Sequence, residues 1–279
     1  MKVKLTLLVV FIAAISFVSC SNKPEMRKPN GSTETIKIKN DHTVYGLACE
    51  GCTDSVVVLL PTDGSDPVQY DCLEAHRSGK ILGKLKIGDW IAVVPSAKNK
   101  KVADIVIDLD DLKGIWCYIV MPKLKNYENM SASMQKRMMQ EMPDSLKELY
   151  MIPREYGFWM KRQWVCQSVG YVAQKNSLED ESPVVYPPLG YFTGWGIWNG
   201  KLIISSGTPK MLKDNTTEVT NVGYDTCNID YLNDDSLVLS SDGVSRSYYR
   251  KNSVDELNKK AKYMAAKLSQ KAMEEAKEN

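Results

Sequence analysis

Histidine is the scarcest functional residue in this sequence of 279 residues, which contains only His42 and His76. Two histidines exclude a metal centre built from several imidazoles and leave little material for histidine acid–base catalysis. The sequence also lacks a Gly-x-Ser-x-Gly motif, a phosphate-binding loop and a His-Glu-x-x-His motif. Its carboxylate pairs fall in polar, turn-like stretches. We therefore predict that the protein is not an enzyme and uses no cofactor.

Net charge is also nearly absent. The chain has 36 lysine and arginine residues against 34 aspartate and glutamate residues. Lys2 and Lys4 belong to a segment that we expect to be removed, and subtracting these two leaves 34 of each sign. A neutral chain gives no electrostatic support for nucleic-acid binding. The composition, 43% hydrophobic and 25% charged, is typical of a globular protein with one large or two small domains.

Residues 1–19 have the pattern of a signal peptide. A short basic stretch precedes the uncharged run 5–18, which is too short to cross a membrane. The sequence Phe-Val-Ser-Cys, ending at Cys20, resembles a bacterial lipobox, in which the cysteine becomes the acylated N-terminus. This resemblance implies a lipoprotein held in the outer membrane by acyl chains such as palmitate, with residues 20–34 as a flexible tether. The polar, non-acidic sequence Ser21-Asn22-Lys23 favours the periplasmic face over display at the cell surface. The alternative is an ordinary secretory signal cut near Ser19.

Residues 35–108 contain short runs typical of β-strands, separated by turn signals. Asp63 and Gly64 form a hairpin-type turn between two of these runs. Residues 73–80 can form a turn of helix before the next strand. About five strands with a helix before the fourth resemble a small OB-type barrel.

From residue 109 the pattern restarts. Leu-Lys-Gly-Ile-Trp at residues 112–116 resembles the L-x-G-x-W opening of lipocalin-like barrels, and a helical insertion follows at 131–150. Asn-Gly at Asn199 and Asp-Gly at Asp242 are strong hairpin turns, since both central positions of such a turn need positive φ. Consecutive hairpins are typical of an up-and-down barrel. We therefore expect a lipocalin-like barrel over residues 109–252.

Several short motifs in this barrel resemble the lipocalin-like domains of Bacteroidetes lipoproteins. They are Gly157-Phe158, Trp195 with Trp198-Asn199-Gly200-Lys201, residues 229–232 and 235–239, and Tyr249-Arg250. In such barrels an arginine of the closing strand stacks over the tryptophan of the first strand. The resemblance implies that Arg250, or alternatively Arg246, lies over Trp116 and that Trp116 plugs the base. The predicted fold class is all-β with helical additions, a small OB-like barrel followed by a lipocalin-like up-and-down barrel.

The C-terminal segment, residues 253–279, is predicted to be a helix. Ser253 and Glu256 have the spacing of a capping box, and apolar residues follow at steps of three and four. The apolar stripe is narrow. It either packs on the barrel or pairs with another helix.

Six cysteines remain when Cys20 is set aside, and Cys49 and Cys52 form a Cys-x-x-Cys motif. With Cys72 and His76 they make a set that is formally sufficient for zinc or copper. The alternatives are a disulfide between Cys49 and Cys52, inert thiols, or catalytic redox chemistry. The motif also resembles that of copper-homeostasis and envelope-stress lipoproteins, which join the same two barrel types in the reverse order.

Four methionines, Met130, Met134, Met138 and Met142, recur at steps of four and so share one helix face. Thioethers can bind cuprous copper, but methionine is also a common packing residue. We expect this face to cover the mouth of the barrel.

Tryptophan and tyrosine have apolar rings with a polar tip, which suit surfaces that are partly exposed to solvent. Their number in the second barrel indicates a binding cavity there. If residues 157–172 form one strand, Arg162 and Trp164 share a face that can point inward. We expect a hollow barrel lined by Trp164 with Tyr118 or Trp198. An amphipathic ligand would place its acidic end at Arg162.

The function predicted from the sequence is non-catalytic binding, by a lipid-anchored envelope protein, of a small apolar or amphipathic ligand or an envelope partner. The alternative is a thiol-based sensor of metal or envelope stress that uses Cys49 and Cys52.

Overall fold

The computed structural model of the chain describes residues 39–172, 182–213 and 217–278. The predicted signal peptide, the acylation site Cys20 and the tether 20–34 lie outside these residues. The described part is mostly β, with a six-stranded sheet and an eight-stranded, nearly closed barrel. The fold class predicted from the sequence is therefore confirmed.

The first unit is the six-stranded sheet, in the order β3-β2-β1-β5-β6-β4. Its strands are β1 (Val44–Ala48), β2 (Val56–Pro61), β3 (Val68–Asp71), β4 (Ile81–Leu82), β5 (Trp90–Pro95) and β6 (Ala103–Asp108). Helix α1 (Leu73–Arg77) connects β3 to β4. A parallel bridge between Asp71 and Val102 brings the end of β3 beside the start of β6, so the sheet curls toward itself.

The second unit is the barrel, whose neighbouring strands are antiparallel and follow the order β10-β9-β7-β16-β15-β14-β13-β12. Its strands are β7 (Gly114–Val120), β9 (Arg154–Met160), β10 (Cys166–Val169), β12 (Tyr191–Trp198), β13 (Lys201–Met211), β14 (Thr217–Leu232), β15 (Ser236–Ser241) and β16 (Val244–Lys251). A bridge between Val165 and Gly194 joins the two ends of this sheet. Ser168 extends the closure, because its hydroxyl donates to the Gly190 carbonyl and accepts from the Phe192 amide at 2.8 Å.

The insertion after β7 contains two helices, α3 (Ala132–Glu141) and α4 (Asp144–Tyr150), with Pro143 between them. A 3₁₀ turn, Tyr127–Asn129, precedes α3. Two short strands, β8 (Lys123–Leu124) and β11 (Val184–Val185), pair with each other outside the barrel.

The C-terminal helix starts later than the sequence indicated. Val254–Glu256 is a 3₁₀ turn, and the helix, α5, spans Lys259–Glu278. Asn258 lies between the 3₁₀ turn and α5 and has a φ of +56°. Its side chain accepts a hydrogen bond from the Glu155 amide at 2.6 Å and donates to the Gly170 carbonyl at 2.8 Å. These bonds to the barrel hold the chain in a turn, so the capping box at Ser253 does not start the helix.

The strand predicted over residues 157–172 is also interrupted. Strands β9 and β10 are separated by a 3₁₀ turn, Arg162–Trp164. Gln163 and Trp164 have φ values of +58° and +60°, which a β-strand cannot accommodate. The alternation of faces therefore does not continue through this segment.

One hydrophobic cluster spans both units. The first unit contributes Leu82, Ala92 and Ile107, and the barrel contributes buried residues that include Trp116, Met160, Trp195, Leu202 and Leu237. Helix α2 (Leu109–Leu112) connects the units and adds Leu109 and Leu112 to the same cluster. The barrel end that faces the first unit, which we call the base, is thus sealed by residues of both units.

Arg250 on β16 links the elements that meet at the base. Its guanidinium carbon lies 4.2 Å from the Trp116 ring centroid, within the arrangement that the lipocalin resemblance implied. The same guanidinium donates to the carbonyls of Lys113, at 2.7 Å, Asp111 and Asp234. Gly114 permits this approach, because a Cβ there would meet the Arg250 guanidinium and its φ is +132°.

Asp108 caps the linking helix. Its Oδ1 accepts from the amides of Asp110 and Asp111, both at 2.9 Å, while the side chain is fully buried. Burial, with the nearby charges of Asp111 and Asp89, raises the pKa of the Asp108 carboxyl to about 8. The raised pKa favours the neutral, protonated form of this cap.

We predict that Arg250→Lys lowers the free energy of unfolding by about 1–3 kcal/mol, because an ammonium cannot contact three carbonyls and a ring at once. Arg246→Lys is the matched control, since Arg246 also lies over an aromatic ring but bonds to none of these carbonyls. Urea denaturation followed by tryptophan fluorescence measures both. Equal losses in the two variants would contradict the role assigned to the carbonyl contacts.

A second prediction concerns pH. Because the Asp108 pKa is raised on folding, the folded state binds this proton more tightly, and stability from this group falls as pH rises from about 4 to about 8. Asp108→Asn keeps the capping oxygen and removes the titration. Its free energy of unfolding should therefore rise relative to the wild type as pH rises across that window.

The control for this experiment is Asp110→Asn. Burial alone would raise the pKa of Asp110, but the ion pair with Lys113 and the Trp90 amide, at 2.7 Å, hold it below its usual value. This variant should lose stability relative to the wild type at neutral pH and less at acid pH. A flat difference between Asp108→Asn and the wild type would show that Asp108 is ionised in the fold.

Candidate functional site

The inner face of the barrel follows from its register. Cross-strand neighbours point to the same side of a sheet. Trp116 opposes Phe158 on one side and Arg250 on the other, and its ring is fully buried, so this row faces inward. Steps of two along each strand assign further side chains to the interior. They are Tyr118, Arg154, Tyr156 and Met160 on β7 and β9, and Arg246 and Tyr248 on β16.

The base half of the interior is filled. Trp116, Met160, Trp195, Leu202 and Leu237 are at most 1% exposed and belong to one cluster. The Trp116 indole N–H donates to the Leu112 carbonyl at 2.8 Å, so its polar atom is also satisfied. The hollow barrel that the sequence suggested is therefore solid at this end, which excludes a ligand that reaches the base.

The opposite half is open. Inner side chains there are partly or fully exposed although they face one another across the barrel. We call this region the cup, and its residues are Tyr118, Phe192, Asp225, Cys227, Arg246 and Tyr248. Solvent thus enters the barrel from the end opposite to the first unit.

Aromatic rings form the floor and one wall of the cup. The Tyr118 and Tyr248 centroids are 5.5 Å apart with their rings edge to face. Phe158, which is 3% exposed, lies below them at 5.2 Å from Tyr248 and 5.9 Å from Phe192. Such rings present apolar faces with polar tips, a surface suited to an amphipathic ligand.

Arg246 supplies the positive charge in the cup. Its guanidinium carbon lies 4.4 Å from the Tyr118 ring centroid, and the residue is exposed. No carboxylate of the described ranges lies within ion-pair distance of it. Burial raises the pKa of Tyr248, and the Arg246 charge opposes that rise. The Arg246 guanidinium is therefore available to donate hydrogen bonds to an acidic group of a ligand.

Arg154 is on the inner face as well, with Arg246 and Arg250, and it is already engaged. It is 8% exposed, and its guanidinium carbon lies 3.6 Å from the Tyr186 ring centroid. The Tyr186 hydroxyl donates to the Ile152 carbonyl at 2.6 Å. Arg154 thus fastens the loop that carries Tyr186 to the barrel rim.

Arg162, which the sequence placed inside the barrel, is on the surface at the base. It lies in the 3₁₀ turn between β9 and β10 and is exposed. Its charge acts on Asp110, near the linking helix, and helps to lower the pKa of that carboxyl. The expectation that Arg162 meets a ligand in the barrel is wrong, because the turn ends the strand before it.

Trp164 and Trp198 also lie away from the cup. Trp164 is 7% exposed and packs between Trp90 of the first unit and Trp195, with centroid distances of 4.7 and 4.8 Å. Trp198 ends β12 at the base hairpin and is half-buried. Of the four predicted lining residues, Tyr118 alone is in the cup.

Two cup residues, Arg246 and Tyr248, were not identified as lining residues from the sequence. The sequence contains the information needed to find them, because steps of two from Arg250 place Arg246 and Tyr248 on the strand face that contacts Trp116. Phe192 could not be found in this way, since a bulge between Phe192 and Gly194 shifts the alternation of β12.

The cysteine and histidine residues of the first unit contact several different partners, although Cys52 packs against the cluster that contains Cys72. The Cys52 sulfur accepts from the Val58 amide at 3.3 Å, and the Cys49 thiol faces the Leu47 carbonyl at 3.8 Å. Burial raises the pKa of Cys72, and the Nδ1 of His76 is 4.0 Å from an Asp54 oxygen. The six cysteines of the described ranges are free thiols. Within the described ranges, no three His, Cys, Asp or Glu residues are grouped as a metal site.

The methionine face also differs from the expectation. Helix α3 has no buried residue, and Met134 and Met138 are 53% and 39% exposed. The helix therefore does not cover the cup with its methionines. The prediction that this face packs over the mouth of the barrel is wrong, because none of the residues of α3 is buried.

In the first turns of helix α5, Ala261, Met264 and Ala265 contact Ile152 and Val172. Of the helices in the described residues, none has the length and apolar character needed to cross a bilayer.

Comparisons with known proteins add little to this description. No family model matches the sequence, and no curated protein does. One solved structure, a lipocalin-like protein from Bacteroides thetaiotaomicron VPI-5482, is 22% identical, and the match covers 36% of this chain and 82% of that chain. The TM-score of this match is 0.24.

Proposed function

We propose that the protein is a non-catalytic binding protein of the cell envelope, whose cup takes a small amphipathic molecule. The observation that carries this proposal is the placement of Arg246. It is an exposed cation on the inner face of a barrel, stacked on Tyr118 and without an ion-pair partner in the described ranges.

The surroundings of Arg246 support a binding role. Tyr118 and Tyr248 give apolar contact beside the cation, and the filled base leaves one open end for entry. Pockets for small molecules typically combine apolar walls with a few fixed polar groups. The strongly perturbed acid of the described chain, Asp108, caps a helix at the base and is far from this opening.

The envelope location is the second part of the proposal and rests on the sequence. The pattern of residues 1–19 and the cysteine that follows support export and acylation at Cys20. Placement at the periplasmic face of the outer membrane is part of the same proposal.

Arg246→Gln should weaken the binding of small acidic amphiphiles about tenfold, because one charge-assisted contact is lost. Isothermal titration calorimetry with octanoate and with anilinonaphthalene sulfonate measures the change. Arg162→Gln is the matched control, since it removes an exposed arginine outside the cup and should leave affinity unchanged. Saturable binding that survives Arg246→Gln, or no binding of either probe, would refute the proposed site.

Cys20→Ala tests the anchor. Acyl chains hold a protein in a bilayer because each buried methylene contributes about 0.8 kcal/mol. The variant should appear in the soluble fraction, or remain unprocessed, whereas Cys49→Ala should fractionate with membranes like the wild type. An unchanged membrane fraction for Cys20→Ala would rule out acylation at that residue as the anchor.

A further inference from the structure

Strand β14 has a long unpaired edge beside the cup. Strand β13 pairs with one side of β14 over residues 217–228, whereas β15 pairs with the other side only from Asn228 onward. No other strand of the described residues pairs with β14 on that second side. A bulge at Asn221, whose φ is +51°, separates the tip of the β13–β14 hairpin from the part next to the cup. We call that part, residues 223–227, the free edge. It is about 17 Å long.

The opposite edge of the same hairpin is protected against strand pairing, but the free edge is not. Strand β13 continues past Gly207, its last pair with β12, and this continuation contains Pro209 and Lys210. Proline has no N–H to donate and lysine is charged, so both discourage an incoming strand. The free edge, Gly-Tyr-Asp-Thr-Cys, contains no proline, lysine or arginine. Its backbone is therefore suited to recognition by β-strand addition, in which an extended peptide pairs with an exposed sheet edge.

The surroundings of the free edge are acidic. Asp225 is part of it, and Asp242 lies in the turn between β15 and β16, next to the point where β15 leaves β14. Both aspartates are exposed. Burial raises the pKa of Cys227, and the charges of Asp225 and Asp242 raise it further, so both carboxylates act on the same part of the edge. No lysine or arginine of the described ranges forms an ion pair with either of them.

Arg246, the cation of the cup, does not neutralise this edge. The register aligns Arg246 through Leu239 with Ile229, and Asp225 lies four residues further along β14. This separation is about 13 Å along the strand, in addition to the two strand spacings across β15. The Arg246 side chain also leans in the other direction, because it stacks on Tyr118 of β7. The two charges therefore belong to separate sites.

We infer that the free edge binds an extended segment of a partner protein that carries a basic side chain opposite Asp225. The segment continues the line of β15, its backbone bonds to the free edge, and Asp242 adds to the negative potential around its lysine or arginine. A second copy of this chain fits less well, because its β14 would bring like charges against the same edge. An aspartate on an edge strand also disfavours neutral strands, which makes the pairing selective. The inference goes beyond the proposed ligand of the cup and does not depend on it.

Short capped peptides of alternating threonine and valine test the inference. One has a central lysine and a second has a central glutamate. The lysine peptide is also made in two N-methylated forms, each blocking one alternate set of amides, because only one set of a bound strand faces β14. Fluorescence anisotropy with the full chain should show the tightest binding for the lysine peptide. One methylated form should lose this binding and the other should retain it.

The charge is tested on the protein side. Asp225→Asn should weaken binding of the lysine peptide about fivefold, because an opposite-charge pair across two strands is lost. Asp225→Lys should reverse the preference and favour the glutamate peptide. Asp230→Asn is the matched control, since Asp230 is an exposed aspartate of the same strand where β15 already covers the edge. It should change neither affinity.

Several results would overturn the inference. They are no binding of the lysine peptide, equal affinity for the lysine and glutamate peptides, equal effects of the two methylated forms, and tighter binding of both peptides by Asp225→Asn. The last result would mean that the carboxylate only protects the edge. A concentration-dependent dimer in analytical ultracentrifugation that masks the edge would assign it to a second copy instead. Binding of octanoate and the sulfonate dye at Arg246 is measured separately, so failure here leaves the proposed function standing.

Discussion

The contact between Arg250 and the base of the barrel is the constraint on which the rest of the structure depends. One guanidinium stacks on Trp116 of the first barrel strand and bonds to carbonyls of the linking segment and of the β14–β15 turn. An arginine suits this position because its planar group has five donors and an apolar face. The last strand, the first strand and the connection to the first unit are thereby fixed by a single side chain.

The filled base and the open cup arise from the same strands. Near the base, the inward positions carry large apolar residues such as Trp116, Met160 and Trp195, which fill the cross-section. Toward the rim, polar and charged residues replace them, including Asp225 and Arg246. An eight-stranded barrel is just wide enough either to be filled or to hold one small molecule. Here it is filled in one half and open in the other.

Much of this fold could be predicted from local sequence. The turn residues at Asn199 and Asp242 mark the hairpins, and both have positive φ, as such turns require. The placement of Arg250 over Trp116 followed from a motif resemblance. The site was harder to predict, because alternation identifies an inner face only while a strand continues. Gln163 and Trp164 take left-handed conformations that their residue types do not signal, and this error moved the expected ligand contact to Arg162.

Long-range geometry accounts for the other differences. The spacing of Cys49, Cys52, Cys72 and His76 permits a shared site, but in the fold Cys49, Cys52 and His76 have other local partners, namely Leu47, Val58 and Asp54. The methionine periodicity predicted one helix face with four methionines, but α3 contains only Met134 and Met138 of these four. Nothing in that periodicity determines what the face contacts, and in the fold it has no buried residue.

The cluster shared by the two units has a consequence for how such a chain can change in evolution or engineering. Trp90, Ala92 and Ile107 of the first unit cover the apolar base of the barrel. If either unit were lost, the other would expose a contiguous apolar surface of the kind that soluble monomers rarely present. The units are therefore not interchangeable modules, and a functional recombinant of the barrel with another partner must carry over the face that seals its base.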